Sequence, residues 1–192
     1  MANRPGLDPG DLNQSALRRE RPLRRLPLRG AFRSVGIGGA SGMFGIDMTE
    51  PWLDPKTIDR LLDDTSTWAV VGLSNDPGRT AYPIAQLLQA KGKRIIPIHP
   101  GAAAEGKDVL GERPYATLAE AAAEAGPIDV VDVFRRSEAA GEFADQAVAI
   151  GARGVWFQLG VLDQEAFQRT TDAGVPMVMD TCPAIEWGKR GA

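Results

Sequence analysis

The chain has 192 residues, 43% of them hydrophobic and 24% charged, with a net charge of −3. That suits one well-packed soluble domain, offers no general attraction to nucleic acid or an anionic membrane, and leaves no apolar run near the roughly 18 to 20 residues of a membrane span. One cysteine (Cys182) and one histidine (His99) exclude an internal disulfide and a cysteine-built zinc cage, disfavour a Ser-His-Asp triad, and fit a reducing, cytoplasmic setting.

Residues 1–47 differ from the rest. They hold eight of the 22 basic residues, all arginine, and four of the 25 acids, a local balance of +4 against −7 for the remainder. Eight of the 22 glycines fall there too, without a periodic apolar pattern. Arg24-Arg25 is a twin arginine, but Arg33 interrupts the stretch after it, and Asp8, Asp11 and Glu20 argue against a transit peptide. The expectation is a disordered tail or a misassigned N-terminal extension, with the folded domain over 48–192 and Met48 as its start.

From Pro55 to Leu62 the pattern predicts a short helix, with Asp54 as N-cap and proline in its first turn. Strand one is expected at Trp68–Leu73, then a helix from Tyr82 to Lys91 stopped by Gly92, then strand two at Arg94–Ile98, ending in His99-Pro100-Gly101. Thr117 and Glu120 have capping-box spacing before another helix. Strand three is Ile128–Phe134, and a helix capped by Ser137 runs to Ile150 and stops at Gly151. Strand four (Gly154–Gln158), a helix (Asp163–Ala173) with its stop at Gly174, and strand five (Pro176–Met179) complete the series.

Short apolar strands alternating with helices mark an α/β fold: a single doubly wound, Rossmann-like parallel sheet of about five strands, with expected order 3-2-1-4-5. Ligands in such sheets bind outside the strand carboxyl ends. The candidate rim is therefore Gly72–Arg79, His99–Gly101, Phe134–Ser137 and Gln158–Gly160. It is rich in phosphate partners: backbone N–H groups of residues 73–75, the Ser74 hydroxyl, and Arg79, Arg135 and Arg136. The dinucleotide fingerprint is absent, because the first loop lacks G-x-G-x-x-G and strand two ends in His-Pro rather than an acid. The P-loop pattern is absent as well.

Val70-Val-Gly-Leu-Ser74, Pro77-Gly-Arg79, Ile96-Pro-Ile-His-Pro100, Asp129-Val-Val-Asp-Val-Phe-Arg135, Val155-Trp-Phe-Gln-Leu-Gly160 and Asp180-Thr-Cys-Pro183 follow one another in the chain. In that order they resemble the small stand-alone CoA-binding-domain proteins, which are similar to the CoA-binding domain of the succinyl-CoA synthetase α-subunit. The resemblance covers about residues 53 to 190. It implies coenzyme A (or an acyl-CoA) held through its phosphates at the carboxyl end of the sheet. Gly72, Leu73 and Ser74, with Asn75 beside them, would meet the phosphates, and Arg79 would pair with one. His99 and Pro100, where family members often have Asn-Pro, would line the adenosine side. Phe134, Arg135 and Arg136 would border the ligand.

Some residues carry plainer readings. Asp129 and Asp132, three apart in a strand, face opposite sides and form no carboxylate dyad. Cys182 is expected as a small half-buried residue, Trp156, Phe157, Phe143 and Phe167 as core, and Trp187 as a lid or a surface anchor. A phosphate-cradling rim without a catalytic pair favours an accessory, non-catalytic binder of a small nucleotide ligand. Alternatives are a subunit of a CoA-ligase-like enzyme and an NAD(H)-sensing Rossmann domain. A homodimer or a partner enzyme fits either role.

Overall fold

The computed structural model describes residues 50–191, so the expectations for 1–47 and for Met48 lie outside the described residues. A 3-10 turn (Pro51–Leu53) leads into α1 (Pro55–Asp63). The Asp54 carboxylate accepts the Thr57 N–H at 2.9 Å and the Thr57 hydroxyl at 2.7 Å, so the N-cap expected from sequence is formed. Then follow β1 (Thr67–Val71), α2 (Ala81–Ala90), β2 (Arg94–Ile98), α3 (Pro100–Glu105), α4 (Leu118–Glu124), β3 (Val130–Val133) and α5 (Ser137–Ala149). The chain closes with β4 (Gly154–Phe157), α6 (Gln164–Asp172), β5 (Met177–Val178) and α7 (Pro183–Arg190). The glycines expected to stop α2, α5 and α6 all sit at positive φ.

All five strands are parallel, but their order is β2-β1-β3-β4-β5, which corrects the expected 3-2-1-4-5. Two residues explain the difference. Pro97 lies inside β2 and has no N–H to give a neighbour, so β2 belongs at a sheet edge. Its outer side meets only a short segment, through Tyr115 N–H to Pro97 O and His99 N–H to Tyr115 O, both 2.9 Å. Asp129, at the start of β3, accepts the Ser66 and Thr67 N–H groups at 2.8 and 3.0 Å and pairs with Arg153 at 3.2 Å. That carboxylate stitches the beginnings of β1, β3 and β4 together. Burial alone would raise its pKa, but these hydrogen bonds outweigh burial and hold it below the usual range.

Both sheet faces are covered, which is why the strands are almost wholly apolar, Asp132 in β3 being the buried exception. On one face Ala69, Val71, Ile96, Val131, Val133, Val155 and Phe157 pack against the alanine-rich inner faces of α4, α5 and α6. On the other, Trp68, Val70, Ile95, Val130 and Trp156 pack against Ile58, Leu61 and Leu62 of α1 and Ala85 and Leu88 of α2. Trp156 and Phe157 are core as expected, while Phe143 and Phe167 are only partly buried against it. Trp187 on α7 packs partly into the second cluster with the Lys91 ammonium 5.5 Å from its ring centroid, so it is an anchor rather than a lid.

Three local features depart from the sequence reading. Helices α3 and α7 were not expected. Ser137 does not cap its own helix: α5 has Arg136 at the N-cap position without a side-chain bond. The Ser137 hydroxyl instead accepts the Leu162 N–H at 3.0 Å, bracing the loop after β4.

Candidate functional site

Because β1 sends its crossover to β2 on one side and β3 sends its own to β4 on the other, a crevice opens between the carboxyl ends of β1 and β3. Gly72 lies at its base with φ +95°, a value that L side chains rarely adopt. A Cβ there would stand 3.0 Å from the Phe134 carbonyl oxygen, so glycine also lets β1 and β3 close up at their ends. An open cleft of about 490 Å³ rises from this point. Its walls come from Gly78–Ala81 at the head of α2, Phe134–Arg136 at the head of α5, and Gln158–Val161 after β4.

The cleft's charge is one-sided. Among the described residues Arg79, Arg135 and Arg136 line it and no carboxylate does. Arg79 stands 3.7 Å from Asp76, with both side chains more than half exposed, and among the described residues Arg135 and Arg136 have no acidic partner. By contrast Arg94, Arg113, Arg153, Arg169 and Arg190 each pair with an acid. Arg135 lies 6.0 Å from the Phe143 ring centroid. The helices that begin here, α2 and α5, lack a side-chain cap, as α7 does, whereas Asp54, His99, Thr117 and Asp163 cap α1, α3, α4 and α6. Uncapped helix N-termini keep N–H groups and the positive dipole end available to an anion.

A second hollow of about 350 Å³ adjoins the cleft at Arg79 and is lined by Ser74, Asn75, Asp76, His99 and the first turns of α3. The Asp76 carboxylate accepts the Gly78 N–H at 2.9 Å, shaping the turn that presents Arg79. Asn75 donates its amide to the Asp108 carbonyl at 3.1 Å. The Nδ1 of His99 accepts the Ala102 N–H at 3.2 Å, so the imidazole caps α3 and its ring proton sits on Nε2. Gly101 makes this cap fit, since a Cβ there would come within 3.1 Å of the ring.

Eight of the ten residues singled out from sequence line these two hollows: Gly72, Arg79, Phe134, Arg135 and Arg136 the cleft, and Ser74, Asn75, His99 and again Arg79 the hollow beside it. Leu73 and Pro100 line neither. The Leu73 side chain is fully buried in the core, which leaves only its backbone for a ligand, and Pro100 opens α3. Among the described residues no protein acceptor takes the N–H groups of Leu73, Ser74 or Asn75.

Sequence reasoning missed the support beneath the cleft. Asp132 is fully buried; its Oδ1 accepts from Gln158 Nε2 at 2.6 Å and its Oδ2 has no partner. Burial pushes its carboxyl up to about 8, against the opposing bond from Gln158. The signal was there, an acid alone in an apolar strand. Asp180, at φ +54°, accepts the Gly160 N–H at 2.7 Å and with Ser137 holds the Gln158–Leu162 loop from both sides. Cys182 is half-buried, and burial raises its thiol pKa, so it is a poor thiolate. The described residues form no group of metal-ligating side chains and no helix long and apolar enough to cross a membrane.

A family model described as CoA binding domain matches residues 66–188. The uncharacterized protein YneT of Bacillus subtilis (strain 168) is 35% identical over 125 residues, spanning 65% of this chain and 87% of its own. A solved structure from Thermus thermophilus is 29% identical with a TM-score of 0.63, covering 71% of this chain and 98% of that one. A hypothetical protein from Pyrococcus horikoshii OT3 is 28% identical with a TM-score of 0.64, covering 72% and 92%.

Proposed function

The chain belongs to the CoA binding domain family, and on that premise we propose that it holds coenzyme A or an acyl-CoA through its phosphates in the β1–β3 cleft, as an accessory binder rather than a catalyst. One observation carries the reading. Among the described residues of a chain with net charge −3, this cleft gathers three arginines, no carboxylate and two helix N-termini without side-chain caps. Such an arrangement suits a ligand with several phosphate charges.

The pyrophosphate would lie against the Gly72–Ser74 backbone and Arg79, with Arg135 and Arg136 across the cleft. The adenosine would lie toward His99, whose Nε2–H remains free to donate. The His99 imidazole caps the following helix as an asparagine side chain would, so it fits the place that the family resemblance gives to asparagine. The accessory role rests on the cleft's lining, in which the described residues provide arginines, an amide, a hydroxyl and apolar side chains but no acid–base pair.

Calorimetry with CoA, dephospho-CoA, ATP and NAD on one sample tests this. CoA should bind tightest, dephospho-CoA more weakly, and both affinities should fall as salt rises. Tighter binding of NAD than of CoA would overturn the proposal in favour of a nicotinamide sensor.

A further inference from the structure

Beside the cleft lies a larger groove, about 560 Å³, between the start of α1 and the helix α7. That volume is in the range of small-molecule sites. Its walls are apolar: Leu53 and Ile58 on one side, Ile185 on the other, and Leu159 at the end nearest the cleft. Leu159 lines both hollows, so the groove continues from the cleft. Among the described residues the large apolar side chains left exposed are Leu159, Leu162 and Ile185, at 63%, 41% and 41%, and two of these three line this groove. Water-exposed leucine and isoleucine lining one groove beside the proposed ligand cleft mark a surface that something apolar covers.

The groove's charges narrow the choice. Lys189 donates to the buried Glu186 carboxylate at 2.9 Å, and the Thr181 hydroxyl donates to the same oxygen. Arg190 is divided between Asp59 and Asp63. Both cations lining the groove are therefore committed, and Asp180 adds a further acid. A carboxylate arriving here would find no free positive partner and three acids, Asp59, Asp180 and Glu186, along the wall.

We propose that this groove receives the acyl group of an acyl-CoA, and that the group is an uncharged, apolar chain. The inference rests on the CoA reading of the cleft. It makes free CoA the weaker ligand, and it makes a dicarboxylic acyl group such as succinyl a poor one. The chain end would lie between Ile58 and Ile185, while the nucleotide stays on the arginine rim.

The full chain is titrated calorimetrically with CoA, butyryl-CoA, octanoyl-CoA and succinyl-CoA, alone and as the Ile185→Ser variant. Each methylene removed from water tightens binding by up to about fourfold, so octanoyl-CoA should bind about ten- to a hundredfold tighter than butyryl-CoA in this open groove. Succinyl-CoA should bind no better than CoA. Ile185→Ser, at an exposed position away from the cleft, should lower octanoyl-CoA affinity about three- to tenfold and leave CoA within twofold. If CoA binds but octanoyl-CoA binds no better, the groove is not an acyl site, although the cleft reading survives. If neither binds, both fall. A dimer that Ile185→Ser dissociates, without any acyl gain, would assign the groove to a second copy and overturn the proposal.

Discussion

Replacing Asp132 by asparagine is expected to flatten the pH dependence of folding stability. In the folded chain the Asp132 carboxyl has no exposure, one hydrogen bond from Gln158 and one oxygen without a partner, and burial pushes it up to about 8. An unfolded chain ionises this group near the ordinary value of about 3.9. Between those values the folded state holds a proton that the unfolded state has lost, so this group's contribution is present at low pH and is lost as pH rises. The slope is about 1.4 kcal/mol per pH unit, or up to about 4 kcal/mol between pH 5 and pH 8.

Asparagine reproduces the protonated acid. Its Oδ1 can still accept from Gln158 Nε2, and nothing ionises. Urea unfolding at pH 5, 6.5 and 8, followed by the fluorescence of the buried Trp68 and Trp156, gives the comparison. The variant's stability relative to the wild type should rise by a few kcal/mol between pH 5 and pH 8. Parallel curves for the two proteins across this range would show that Asp132 is ionised and solvated in the fold, and the dry socket beneath Gln158 would be refuted.

Arg79→Ala should weaken CoA binding by about 1.5 to 3 kcal/mol, the range for a hydrogen bond to a charged group, with the melting temperature unchanged; unaltered affinity would make Arg79 a solvated charge. Gly72→Ala should cost about 1 to 3 kcal/mol of stability through the strained φ and the contact with the Phe134 carbonyl, and should also lower CoA affinity; a variant that melts like the wild type would contradict the close β1–β3 approach. His99→Ala should lose about 1 kcal/mol with the α3 cap, while His99→Asn should keep it, so calorimetry on the asparagine variant isolates the ligand contact of Nε2.

Most of the fold could be read in the sequence because its signals are local. The boundaries of β2 follow from an apolar run between Gly92 and His99, and the Asp54 and Thr117 caps from their spacing to the N–H groups they accept. Strand order is not local, yet even here Pro97 held the information: a residue without an N–H cannot sit in a strand paired on both sides, and the expected order placed it there. His99 shows the same limit from the opposite direction. The sequence places it on the rim and no more, and only the fold brings the Ala102 N–H and the ring-accommodating Gly101 beneath it. The arginines of the rim were legible because a doubly wound sheet gathers strand ends whatever their order. What the sequence could not show was absence: that none of the described carboxylates lines the cleft, and that two helices begin there without a side-chain cap. On the proposed reading those two facts make one anion site of three surface arginines, and the first depends on where Asp129, Asp132 and Asp163 are engaged instead. Asp129 is tied to the opposite end of the sheet, Asp132 is buried against Gln158, and Asp163 caps α6. The positive field of the cleft is set as much by the placement of these acids as by the arginines that line it.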